Sequence, residues 1–261
     1  MNMSDPSERN GFSSEDCLIN PQRSPSEPLL DSPSLLISIP GDLKRLARLF
    51  SGGGTRIYED PFLQVYALDQ GGRKIALAGP AVGAPQAVML LEKLIALGSR
   101  EVVLFGWTGG LQAHLSFGDV ILPEGAVSEE GTSAHYRPKG PPAPSPVLFQ
   151  ALQKKLAEEG LRFFPGKVWT TDAPYRETVA KVKAYRSQRV LGVDMETSAV
   201  FTVGAFRGIA TAALLLVSDE LSPLRWRPGF RDPRFIEARK KAARFLFRFV
   251  LFRTQGPPAS P

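Results

Sequence analysis

The chain has 261 residues, enough for one large domain or two small ones, and 43% of them are hydrophobic, so it can bury a substantial core. The formal net charge of +6 is concentrated at one end: from Arg225 onward ten Lys or Arg face only Asp232 and Glu237. Such a localised basic end points to anionic ligand groups or a solvated helix face, no aromatic-interleaved basic motif for RNA or DNA is present, and a lone cysteine, Cys17, excludes an internal disulfide.

Residues Met1–Pro33 are rich in Ser, Pro, Asn, Asp and Glu and carry few large apolar side chains, so a disordered tail is expected there. Without an apolar stretch behind basic residues it does not read as a signal peptide, and a cytoplasmic location is expected. Leu35–Ile39 reads as a short strand. Pro40, Gly41 and Asp42 then turn the chain into a helix, Leu43–Phe50, which Gly52–Gly54 interrupt. Strands follow at Phe62–Leu68 and Arg73–Ala78, and Asp69–Gly72 between them is a hairpin signal. The clearest amphipathic helix is Ala84–Leu97, with Ala87, Leu90, Leu91, Leu94 and Ile95 on one face. Glu101–Phe105 reads as a buried strand ending in a glycine-rich turn, Gly106–Gly110.

Asp119–Leu122 is a further strand, and Lys139–Pro146 a proline-rich loop. Ser145 and Pro146 supply the N-cap and first-turn proline of a helix over Val147–Glu159. Strand Arg162–Thr170, helix Arg176–Tyr185, helix Glu196–Phe206, strand Ile209–Val217 and helix Arg234–Phe252 complete the chain. Ala199–Val217 is mostly apolar and long enough to span a bilayer, but Arg207 and Gly208 sit near its middle. A helix followed by a core strand explains it better. Alternating strands and helices predict a three-layer αβα fold with a mixed, mostly parallel central sheet. One domain over 34–253 and a flexible C-terminus over 254–261 are expected. In the last helix, apolar residues on nearly all sides imply that one face packs on the core.

Two carboxylates stand out at the ends of one apolar αβ unit: Glu196 in Val193–Glu196, and Asp219 in Val217–Asp219. Burying a carboxylate is costly unless something hydrogen-bonds it, so the pair suggests a site for a polar ligand. Gly41 lets backbone amides approach an anion where a strand turns into a helix, and Arg45 can offer it a two-pronged hydrogen bond. The two histidines, His114 and His135, lie in separate segments without ligand spacing, so no metal site is expected.

From Ile39 to about Leu246 the order of these motifs resembles the nucleoside phosphorylase family, which includes uridine phosphorylase and bacterial purine nucleoside phosphorylase. The residues that carry the resemblance are Pro40–Arg45, Gly83–Pro85, Gly106–Leu111, Gly118–Asp119, Glu130–Ser133 and the two carboxylate motifs. The resemblance implies that Glu196 accepts hydrogen bonds from the ribose 2′ and 3′ hydroxyls, with Met195 packed beneath the sugar. It implies that Asp219 protonates the departing base, and that Trp107, Thr108 and Tyr175 contact the nucleoside. Phosphate would be held by Gly41, Arg45, Thr108 and Arg56, the last lent across a subunit interface of a homo-oligomer. Inorganic phosphate is then a co-substrate, with no organic cofactor.

Two positions depart from the pattern. Many members place an Arg where this chain has Leu104, and a hydroxyl residue where it has Trp107. Phosphate-independent hydrolysis and a catalytically weak nucleoside-binding protein of the same fold therefore stay open as alternatives. Pyrimidine-specific members carry Gln and Arg in the segment written here Thr171–Thr178, where no Gln-x-Arg occurs, and this favours a purine. Arg225, Arg227 and Arg231 are candidates to pair with Asp219. A dinucleotide-dependent oxidoreductase is disfavoured because no G-x-G-x-x-G follows the first strand.

Overall fold

The computed structural model describes residues 17–30, 33–49, 54–59, 62–70, 73–136 and 140–253. Strands β1 (Ser34–Ile37), β2 (Thr55–Glu59), β3 (Gln64–Gln70), β4 (Arg73–Gly79), β5 (Glu101–Gly110), β6 (Val120–Ser128), β7 (Phe163–Thr170), β8 (Gly192–Asp194), β9 (Ala210–Glu220) and β10 (Arg227–Pro228) join in one sheet. Its order is β10-β9-β6-β7-β8-β5-β1-β4-β3-β2, and β5 pairs with β9 as well. That extra pairing closes β5, β9, β6, β7 and β8 into a ring, from which β1, β4, β3 and β2 extend. The pairings β4–β1, β1–β5, β5–β9, β6–β7 and β7–β8 are parallel. The β2–β3–β4 hairpins, β5–β8, β6–β9 and β9–β10 are antiparallel, so the sheet is mixed.

Period-two alternation along the buried strands builds two apolar layers. Leu36, Leu104, Leu215 and Val217 face α2 (Ala84–Ala96) and α5 (Thr197–Arg207). Leu35, Ile37, Val103, Phe105, Leu214 and Leu216 face the opposite way. They meet α1 (Pro40–Leu49), α3 (Pro146–Glu158) and α6 (Pro233–Arg253), which gives the three layers expected from the order of elements. A smaller cluster around Trp169 and Val182 seats α4 (Val179–Ser187).

Helix α6 commits Phe235, Phe245, Leu246, Phe249 and Val250 to this core, and ion pairs Arg248–Glu159 and Arg253–Glu101 fasten its last turns. Phe245 is fully buried. Phe245→Ala is expected to lower stability by about 3–5 kcal/mol through lost burial and the cavity left behind. A urea titration reads this as a lower midpoint at unchanged slope.

Several expectations are corrected. Gly106–Gly110 is no turn: it is the second half of β5, paired with β9 and β8. Its glycines answer close approach, since a Cβ on Gly109 would lie 2.6 Å from Leu221 Cδ1 and 3.1 Å from an Asp219 carboxyl oxygen. Strands β2, β8 and β10 are short and carry no apolar run of their own. The expected tail is outside the described residues through residue 16; beyond it Leu30 is fully buried and Glu27 pairs with Lys93 at 2.7 Å. The expected flexible end 254–261 is outside the described residues. The apolar stretch Ala199–Val217 divides into α5, a left-handed cap at Gly208 (φ 66°) and β9. No helix among the described residues is long and apolar enough to cross a membrane.

Candidate active site

The carboxyl ends of β1, β5, β8 and β9 open into one cavity of about 520 Å³, where ligands bind in parallel α/β sheets. Glu196 and Asp219 both line it. Each is placed by a different local device.

At the head of α5 the helix cap falls to Asp194, not to Glu196. Asp194 Oδ2 accepts the Thr197 amide at 2.9 Å and the Thr197 hydroxyl, while Oδ1 accepts Thr170 Oγ1 at 2.7 Å. Asp194 thus satisfies the helix amides, which leaves the Glu196 side chain to the cavity. Glu196 Oε1 accepts the backbone amide of Gly83 at 2.7 Å. Gly83 caps α2 with φ 82°, a left-handed conformation suited to glycine. Burial, and then the neighbouring Asp194 charge, push the Glu196 carboxyl up to about 8. Asp194 is raised as well, chiefly by burial and against its hydrogen bonds.

Asp219 sits near the end of β9. Its Oδ1 accepts Ser218 Oγ at 2.6 Å and its Oδ2 accepts the indole N–H of Trp226 at 2.9 Å. Burial raises it above the usual carboxylate range, with both hydrogen bonds opposing. A further carboxyl, Glu177, lines the cavity with Glu196, Asp219 and Asp194, and burial together with the Asp219 charge pushes it up to about 7. Its polar, loop-like surroundings in sequence gave no signal of this position.

Met195, Trp107, Thr108 and Tyr175 line the same cavity, Tyr175 fully exposed at the mouth. Thr108 Oγ1 is already donating to Val193 O at 2.9 Å, so this hydroxyl can only accept further hydrogen bonds. Trp107 donates its indole N–H to Asp42 Oδ2 at 2.8 Å, and the Arg239 guanidinium, itself 2.7 Å from Asp42 Oδ1, lies over its ring.

The expected phosphate residues are not brought to one place. Gly41 and Arg45 line a separate depression with Lys44 and Arg48. Arg45 Nε is buried there without a hydrogen-bond partner among the described residues. Arg56, on β2, pairs with Glu59 at 2.8 Å and lines neither depression. Leu104 is fully buried in the core. Trp107, its indole N–H held by Asp42, lines the cavity, whereas Gly41 and Arg45 do not. Nor, among the described residues, does an Arg pair with Asp219: Arg227 pairs with Glu220 at 2.9 Å, and Trp226 donates to the carboxyl. Among the described residues no group of three or more His, Cys, Asp or Glu could hold a metal ion.

A buried carboxyl at a helix head, facing a second carboxyl at a strand end across one cleft, defines an α/β enzyme site for a small polar ligand. The phosphorylase superfamily model matches residues 35–251, and the chain belongs to that family. A guanosine phosphorylase of Halorubrum lacusprofundi is 25% identical over 216 residues, covering 82% of this chain and 90% of the relative. A DeoD-type purine nucleoside phosphorylase of Bacillus cytotoxicus is 30% identical over 154 residues, covering 58% of this chain and 65% of the relative, just under two thirds of its length. Two solved structures share the fold. Purine nucleoside phosphorylase of Toxoplasma gondii, in complex with immucillin-H, has a TM-score of 0.79 at 22% identity, covering 90% of this chain and 99% of that one. Uridine phosphorylase of Vibrio fischeri has a TM-score of 0.75 at 24% identity, covering 86% of this chain and 93% of that one. The nucleoside phosphorylase resemblance and the three-layer fold are therefore met, and the chain is an enzyme of the pentosyltransferase kind.

Proposed function

We propose that the protein cleaves the N-glycosidic bond of a purine nucleoside with inorganic phosphate, giving the free base and ribose 1-phosphate. The observation that carries this reading is the presence of Glu196 and Asp219 in one cavity. Ionised Glu196 accepts both hydroxyls of the ribose diol, and its charge stabilises the oxocarbenium-like sugar as the bond stretches. The bonding electrons leave with the base, and Asp219 transfers a proton to a ring nitrogen. A phosphate oxygen then bonds to C1′. Met195 supports the sugar ring, and Tyr175 and Trp107 offer aromatic faces. Glu177 beside Asp219 adds an acceptor for base N–H groups, which suits a purine rimmed with donors.

Arg45, with Lys44 and Arg48, supplies the cationic groups for phosphate and Gly41 opens the backbone to it, since α1 begins there and Arg45 Nε has no hydrogen-bond partner among the described residues. We read residues 34–253 as one catalytic domain of a cytoplasmic homo-oligomer, in which half-exposed Arg56 reaches a neighbour's site. No organic cofactor or metal enters this chemistry.

A second reading, phosphate-independent hydrolysis, is favoured by Leu104 in the core and by the separation of the cationic depression from the cavity. Base release from a panel of purine and pyrimidine nucleosides, with and without phosphate, decides between them. Phosphate-dependent release with ribose 1-phosphate as product is expected. Equal release without phosphate assigns a hydrolase, and ligand-raised melting without turnover assigns a binding protein.

A further inference from the structure

Residues 221–230 form a strap over the cavity that begins where β9 ends. The strap turns at Leu224, whose φ of 58° is left-handed backbone that a leucine adopts only at an energetic cost. It returns as β10, with Arg227 opposite Glu220 and Pro228 opposite Asp219. Arg186 of α4 donates to Ser222 O at 2.7 Å, and the Gly229 amide donates to Ser218 O at 2.9 Å, so both ends of the strap are anchored. The turn folds Trp226 back over its own strand, and its indole N–H meets Asp219 at 2.9 Å. Trp226 is 60% exposed, so burial does not account for its presence. Its ring centroid lies 6.2 Å from that of Phe230, which stacks on Trp107 at 5.7 Å.

We propose that Trp226 is the positioning residue of Asp219: with Ser218 it holds both carboxyl oxygens through neutral donors, in a place where a guanidinium would otherwise stand. The inference rests on reading Asp219 as the proton donor. A contacting guanidinium would favour the carboxylate and draw the acid toward its ionised form. A neutral indole N–H aims the carboxyl while leaving it able to keep the proton it must deliver. Among the described residues no ion pair joins Asp219, because Arg227 is committed to Glu220. The other charged groups about the cleft are Glu177 before α4, Asp194 and Glu196 at the head of α5, and Arg186 of α4. Burial favours a protonated Asp219, and its charge when ionised in turn raises Glu177.

The test is the pH dependence of kcat and KM for wild type, Trp226→Phe, Trp226→Arg and Trp226→Gln. The substrates are inorganic phosphate and guanosine or adenosine, whichever is turned over faster. Trp226→Phe keeps the ring and removes the donor, so kcat is expected to fall roughly tenfold, with KM changed less. The alkaline limb of kcat, where Asp219 loses its proton, moves up by about half a pH unit or more. Trp226→Arg moves that limb down, and Trp226→Gln, a neutral donor, returns it toward wild type. Loss of a merely structural contact would scale activity without moving the limb in opposite directions. Limbs that stay in place, or that move the same way in the Phe and Arg variants, overturn the proposal. Asp219→Asn, measured alongside, separates the two levels. If it is inactive while the limbs are unmoved, only the role of Trp226 fails. If it keeps wild-type turnover, the proton-donor reading fails and takes Trp226 with it.

Discussion

Asp219→Asn is expected to reduce turnover of a purine nucleoside by about 10²–10⁴, the usual contribution of a positioned general acid. Asn is nearly isosteric: its Oδ1 accepts the Trp226 indole N–H and its Nδ2 donates to Ser218 Oγ, so the frame at the end of β9 survives with the Ser218 bond reversed. What disappears is the transferable proton. The base must then depart with its charge unrelieved. The loss should appear in kcat more than in KM, because the proton moves only as the glycosidic bond breaks. A better leaving group narrows the gap between variant and wild type, since it needs less protonation. A uniform deficit across leaving groups would point instead to disrupted binding.

Glu196→Gln is expected to cost about 10²–10³ in kcat, a typical loss for one group that stabilises transition-state charge. The same variant should show an opposite effect on stability. Folding raises the Glu196 carboxyl from an ordinary 4.5 to about 8. Between those values the folded protein binds more protons than the unfolded chain, so stability falls as pH rises through that window and levels off above it. Gln does not ionise and contributes no such slope. Relative to wild type, the variant should therefore melt higher at pH 9 than it does at pH 5. Equal melting offsets at the two pH values would contradict a Glu196 that must be charged against its surroundings. A site that is less stable when charged is the expected consequence of placing a carboxylate where it is needed for a developing cation.

The nineteen-residue stretch Ala199–Val217 shows how much of the fold was legible in sequence. Arg207 and Gly208 divide it on inspection into a helix and a strand, and α5 and β9 lie there. Each decision needed only neighbouring residues: a charge, a cap, an apolar period. Gly106–Gly110 shows the opposite case. Glycines in a row read as a turn, yet here they let β8 and β9 approach β5, a requirement set by strands more than eighty residues away. Glu196 was found because the motif around it is local. Glu177 and Trp226 were not, because a polar loop residue and an exposed tryptophan between arginines carry no local mark of facing the same carboxyl.

Order of elements, the division into apolar layers, and the two carboxylates follow from the chain alone, since side-chain periodicity and helix capping act over a few residues. Convergence was decided by the tertiary structure. The fold sets Asp219 at the end of β9 and Trp226 beyond it in one cavity with Glu177, while Gly41 and Arg45 line a separate depression. The reason is that strand register and hydrogen bonds between distant segments fix where polar groups meet, and no spacing along the chain encodes them.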